Sequence, residues 1–149
     1  MPLACPVLIV DDVATELTAI ARLLEAAGFE PPFTTIEGGC RAKELLAEQG
    51  GRFGIAFFDL RMPTTDGLQL LTWVRSRPEL ARLKVIIITA DNDPGEIQRV
   101  RAAGADGYFT KYPSAPKLAA ILANIVPGLV ASSDGAGSNQ SRAPGSGSP

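Results

Sequence analysis

Three short runs in this chain are apolar at every position: Val7-Leu8-Ile9-Val10, Gly54-Ile55-Ala56-Phe57-Phe58 and Val85-Ile86-Ile87-Ile88. A strand with one face in water alternates polar and apolar residues. A run without alternation is buried on both faces, as in a parallel sheet covered by helices. This pattern excludes most all-β folds and requires a helical stretch after each strand to supply the crossover.

The intervening segments supply those helices. Asp12 is placed to cap the first, in which Leu17, Ile20, Leu23 and Leu24 fall at helical spacing and Gly28 marks the end. Phe33 to Ile36 reads as a weak second strand, and Cys40 to Gln49 as the second helix with Leu45 and Leu46 inward. Leu68, Leu71 and Val74 mark a third helix, and Ile97 and Val100 a short fourth. Gly107 to Thr110 is a fifth strand, and Leu118, Ile121, Leu122, Ile125 and Val126 form an apolar stripe on a last helix. Five strand–helix units in about 130 residues are too few for a closed eight-stranded barrel, which needs roughly 250. They fit an α/β, flavodoxin-like, doubly wound parallel sheet of order 2-1-3-4-5.

Composition changes at residue 131. From Ala131 to Pro149, 12 of 19 residues are Gly, Ser or Pro and the only apolar side chains are three alanines. Such a segment buries too little surface to offset its ordering entropy. The expected organisation is a domain over 1–130 and a disordered tail or linker over 131–149.

Other features narrow the chemistry. The chain has no histidine, which removes Ser-His-Asp and Cys-His catalysis and every histidine metal ligand. Two cysteines, Cys5 and Cys40, are too few for a four-thiolate zinc site. Without a basic n-region or a cleavage site at the start, they read as reduced thiols of a cytoplasmic protein. No apolar run approaches the roughly 18–20 residues that span a bilayer. A net charge of −2 argues against direct nucleic-acid binding by this chain. Neither G-x-x-x-x-G-K-[ST] nor a G-x-G-x-x-G after the first strand is present.

Open α/β sheets bind ligands beyond the carboxyl ends of their strands. Asp11 and Asp12 stand there after strand 1, Asp59 after strand 3, Thr89 at the end of strand 4 and Lys111 after strand 5. Taken singly, such an aspartate is ordinarily a helix cap, such a lysine a solvated charge and such a threonine a β-former. All five at the ends of the right strands is a much rarer coincidence. Crowded carboxylates stay ionised only beside a cation, and oxygen ligands without His or Cys suit magnesium. A neighbouring ammonium and hydroxyl suit the oxygens of a phosphoryl group, with an aspartate as nucleophile.

The same residues carry a family resemblance. Val7 to Asp12, then Asp59-Leu60-Arg61-Met62-Pro63-Thr64-Thr65-Asp66-Gly67, then Ile86-Ile87-Ile88-Thr89-Ala90, then Lys111, resemble the receiver domain of two-component response regulators over residues 6 to about 129. The resemblance implies that Asp59 is the phosphoacceptor. It implies a magnesium ion held directly by Asp12, by Asp59 and by the backbone carbonyl of Arg61, with Asp11 acting mainly through water. Thr89 and Lys111 would contact phosphoryl oxygens, and Tyr108 matches the aromatic position that swings when Thr89 is drawn inward. The implied donor is a histidine kinase or phosphotransfer protein. The implied output runs through the face of helix 4, strand 5 and helix 5, to a protein target or a downstream domain beyond the tail. Such a module accepts a phosphoryl group without being a turnover enzyme.

Two alternatives stand beside this reading. One is a receiver fold that binds partners without phosphorylation. The other is an aspartyl-phosphate phosphohydrolase, which wants a second aspartate two residues after its nucleophile, where Arg61 stands. Tyr112 also departs from the family, which usually has proline after the lysine. Arg61 and Asp91, each two residues past a site residue, are expected to pair across the site and tune the phosphoryl lifetime. Lys111 is expected within ion-pair reach of Asp59, and the Lys111–Tyr112 bond is expected to be trans.

Overall fold

A computed structural model describes residues 6–30, 32–62, 66–90 and 93–125. Along the chain run β1 (Val7–Asp11), α1 (Ala14–Ala26), β2 (Thr34–Glu37), α2 (Gly39–Gln49), β3 (Ile55–Asp59), α3 (Gly67–Arg75), β4 (Lys84–Thr89), α4 (Pro94–Ala102), β5 (Gly107–Thr110) and α5 (Ala115–Ile125). Short 3-10 turns follow α2 and precede β4. The strands form one parallel sheet of order β2-β1-β3-β4-β5, the flavodoxin-like arrangement expected from the sequence.

The uninterrupted apolar runs are the inner strands. Every residue of β1 and β3 is buried, and side chains of alternate parity enter two separate cores. Leu8, Val10, Ala56, Phe58, Val85 and Ile87 pack with Leu46 of α2, Leu70, Leu71 and Val74 of α3 and Val100 of α4. Val7, Ile9, Ile55, Phe57, Ile86 and Ile88 pack with Leu17, Ile20 and Leu24 of α1 and Leu118 and Leu122 of α5. Truncating either Phe57 or Phe58 to alanine would cost about 3–5 kcal/mol at such sites. The outer strand β2 alternates half-buried and exposed residues, as an edge requires.

Local chemistry sets the helix ends. Gly28, at φ 113°, lets α1 end with Gly28 N–H donating to the Glu25 carbonyl and Phe29 N–H to the Leu24 carbonyl. Asp66 caps α3 by accepting from Gln69 N–H at 2.8 Å, while the Gln69 side chain accepts from Asp66 N–H at 3.0 Å. Helix α3 sits so close to the end of β3 that a Cβ on Gly67 would lie 2.5 Å from the Asp59 carbonyl oxygen.

Asp12 does not cap α1. The helix starts one residue later than expected, with Val13 as its N-cap and no side-chain capping bond; Val13 N–H instead donates to Asp11 Oδ1 at 3.1 Å. Val126 of the expected stripe, Cys5, Asp91 and the segment 131–149 lie outside the described residues.

Candidate functional site

The strand register delivers the site. Val10 pairs with Phe58, so Asp11 and Asp59 leave the sheet side by side. Asp59 pairs with Ile88, which places Thr89 one step beyond. Parallel pairing continues past the strands, with Leu60 N–H donating to the Ile88 carbonyl and Lys111 N–H to the Thr89 carbonyl, both at 2.8 Å. Asp11, Asp59 and Thr89 are the buried polar residues among the described ones, and each terminates a strand. Buried polar groups placed together at one sheet edge are costly unless they serve a ligand or one another.

Carboxylate oxygens of Asp11, Asp12 and Asp59 lie within 4.8 Å of one another. Opposite them Lys111 Nζ is 2.9 Å from Asp59 Oδ1, 3.4 Å from Asp11 Oδ2 and 2.6 Å from Glu16 Oε1. A cavity of about 570 Å³ opens above, with Val13, Arg61, Ala90 and Tyr112 completing its walls.

Charge is unbalanced in this cavity. Burial, reinforced by the Asp59 carboxylate, pushes Asp11 up to about 6 despite Lys111. Burial raises Asp59 as well, against the pull of Lys111. Glu16 moves the other way, held down by hydrogen bonds from Lys111 and Tyr112. Desolvation disfavours the Lys111 charge, but Glu16, Asp59 and Asp11 together outweigh it and raise the pKa of the ammonium. Burial and the bond to Glu16 lift the Tyr112 phenol to about 12. Negative charge exceeds positive where the donors are all oxygen, which is the environment of a hard divalent cation.

Of the residues singled out from sequence, Asp11, Asp12, Asp59, Arg61 and Lys111 meet at this cavity. Thr89 is buried at the end of β4 and is not part of the cavity lining. Tyr108 is half-buried on β5, with its hydroxyl 3.5 Å from Thr110 Oγ1 and its ring against the core that contains Val100. Arg61 pairs with Glu96 in the first turn of α4, at 2.5 Å, and Arg99 approaches the other Glu96 oxygen at 3.8 Å.

One expectation is overturned. The Lys111–Tyr112 peptide bond is cis. Its surroundings supply the physical reason. Lys111 is tied by its backbone to Thr89 and by its ammonium to Asp59, while the Tyr112 hydroxyl and the Lys111 ammonium donate to the same oxygen, Glu16 Oε1. Two consecutive side chains thus reach the same point, and the general trans preference yields to that arrangement. Glu16 and Tyr112 were the site residues missed in the sequence. Glu16 lies in the first turn of α1, directly after the aspartates at the end of β1, and that placement was the available signal; Tyr112 stood out in the sequence only as the residue in place of the usual proline.

The family model described as response regulator receiver domain matches residues 7–123. The polar-differentiation response regulator DivK of Brucella anthropi is 31% identical over 111 residues, spanning 74% of this chain and 87% of that protein. Among solved structures, the receiver domain of a signal transduction histidine kinase from Syntrophus aciditrophicus has a TM-score of 0.71 at 27% identity, covering 89% of this chain and 98% of that one. The chemotaxis protein CheY4 of Vibrio cholerae shares the fold, with a TM-score of 0.71 at 24% identity over 82% of this chain and 98% of its own.

Proposed function

Because the chain belongs to the receiver domain family of two-component response regulators, we propose that it is a phosphorylation-switched signalling module with Asp59 as phosphoacceptor. The observation that carries this reading is the placement of the Asp59 carboxylate 2.9 Å from Lys111 and within the same 4.8 Å cluster as Asp11 and Asp12. An Asp59 oxygen attacks phosphorus of a phosphohistidine on a histidine kinase or phosphotransfer protein. The O–P bond forms, the P–N bond breaks, and the electron pair returns to the imidazole, which then takes up a proton.

The donor set fits magnesium: Asp12, Asp59 and the Arg61 carbonyl would hold it, with Asp11 acting through water. Bound there, the ion would offset the carboxylate charge and screen the incoming phosphoryl oxygens. Lys111 neutralises Asp59 in the resting chain and turns to a phosphoryl oxygen after transfer. Thr89, at the end of β4, supplies a hydroxyl to a second, and Tyr108 follows its movement. The change then reaches the face of α4, β5 and α5, where a protein target or a following domain reads it. Helix α4 is suited to respond, since Val100 is its one fully buried side chain among the described residues. Residues 1–130 form the receiver in this reading and 131–149 a tail or linker. Among the described residues no helix is long and apolar enough to cross a membrane, and the cytoplasm, where kinases present their phosphohistidine, is the proposed location.

The test is a titration with beryllium trifluoride, a phosphoryl mimic, in the presence of magnesium, followed by amide resonances. Shifts centred on Asp59, Thr89 and Lys111 are expected, and the Asp59→Asn variant should show none. Equal shifts in that variant, or in the absence of a divalent ion, would refute the reading.

A further inference from the structure

An ammonium has three N–H donors, and in the resting chain each donor of Lys111 has a carboxylate within reach. Glu16 Oε1 at 2.6 Å is the nearest, ahead of Asp59 Oδ1 at 2.9 Å and Asp11 Oδ2 at 3.4 Å. Glu16 is itself braced, because the Tyr112 hydroxyl donates to that same oxygen. It also stands outside the trio of aspartates whose oxygens cluster within 4.8 Å. Its carboxylate therefore faces the lysine and the tyrosine, on the α1 side of the cavity.

We propose that Glu16 is a positioning residue that acts through Lys111: together with Tyr112 it tethers the ammonium toward α1, so that a phosphoryl group on Asp59 must compete for it. The inference rests on the phosphoacceptor reading above. A phosphoryl oxygen gains a donor only when Lys111 gives up a partner. The loose Asp11 contact yields first, and the Asp59 contact is lost as that carboxylate becomes an acyl phosphate. The Glu16 contact, the shortest and the one backed by Tyr112, persists and divides the ammonium between two acceptors. Charge-assisted bonds of this kind are the strong ones in a partly buried site, and the Lys111 side chain is only 12% exposed.

Two measurements on the full chain test this, with Glu16→Ala, Glu16→Asp and Tyr112→Phe. The first follows solvent exchange of the Lys111 ammonium protons by NMR, without any phosphodonor. Protection in the wild type that is lost in Glu16→Ala, and partly lost in Tyr112→Phe, is expected. Exchange unchanged by Glu16→Ala overturns the tether. The second measures the second-order rate of labelling by a small acyl phosphate with magnesium. Removing one screened, charge-assisted competitor should raise that rate about three- to tenfold in Glu16→Ala. Glu16→Asp keeps the charge but is one methylene short of Lys111, and it should behave as Glu16→Ala does. If it behaves as wild type, charge alone matters and the tether is refuted. If the wild type takes no label, the phosphoacceptor reading falls, while the exchange measurement still decides whether Glu16 holds Lys111.

Discussion

Replacing Asp11 by asparagine should stabilise the metal-free chain and remove most of its response to magnesium. Asp11 is 1% exposed, and burial together with Asp59 lifts its carboxyl from an ordinary 3.8 to about 6. A folded-state pKa above the unfolded value means that the group's stabilising contribution is fully present below 3.8 and is lost as pH rises through about 6. Two pKa units correspond to about 3 kcal/mol by linkage. The ionised carboxylate thus penalises folding by up to that amount at pH 7.5. Asparagine keeps an oxygen for the Val13 N–H but gives up the contact to Lys111 and adds an amide to satisfy. The net gain should be about 1–3 kcal/mol, or roughly 4–10 °C in Tm for a domain of this size. Thermal unfolding in EDTA at pH 7.5 and pH 4.5 measures it: the variant should unfold higher at pH 7.5, and the gap should shrink to about a third at pH 4.5. Added magnesium should then raise the wild type by mass action and leave the variant nearly unmoved. A variant less stable than wild type in EDTA at pH 7.5, or a gap independent of pH, would refute the electrostatic account of the site.

Three further outcomes follow from the geometry. Gly67→Ala would place a Cβ 2.5 Å from the Asp59 carbonyl oxygen, so it should cost about 1–3 kcal/mol in chemical denaturation and slow phosphorylation by displacing the acceptor loop. Arg61→Ala breaks an ion pair whose arginine side chain is 59% exposed; stability should change by no more than about 1 kcal/mol, while aspartyl-phosphate hydrolysis, followed by decay of the labelled protein, should quicken several-fold as the cavity loses its overhanging cation. Deleting residues 131–149, which carry no apolar side chain larger than alanine, should leave the Tm within error of the full chain.

What was legible beforehand depended on local pattern. Uniformly apolar Ile55 to Phe58 and Val85 to Ile88 identify inner parallel strands because only burial on both faces tolerates such runs. Once order 2-1-3-4-5 is inferred, the aspartates and Lys111 must converge, since parallel strands all end on one edge. The features that escaped depend on contacts between distant segments. Arg61 meets Glu96, 35 residues away on α4, a contact that no local spacing announces, while the expected partner Asp91 lies outside the described residues. Glu16 joins Lys111 across 95 residues, and the cis bond after Lys111 accompanies that junction. The cap of α1 also differs from the local pattern: Asp12 belongs to the carboxylate cluster and Val13 takes the N-cap.

Whether Asp59 carries the phosphoryl group is decided by intact-protein mass spectrometry after incubation with a small acyl phosphate. A gain of one phosphoryl group is expected that requires magnesium and is abolished by Asp59→Asn. Label that persists in Asp59→Asn, or that forms equally in EDTA, would contradict it.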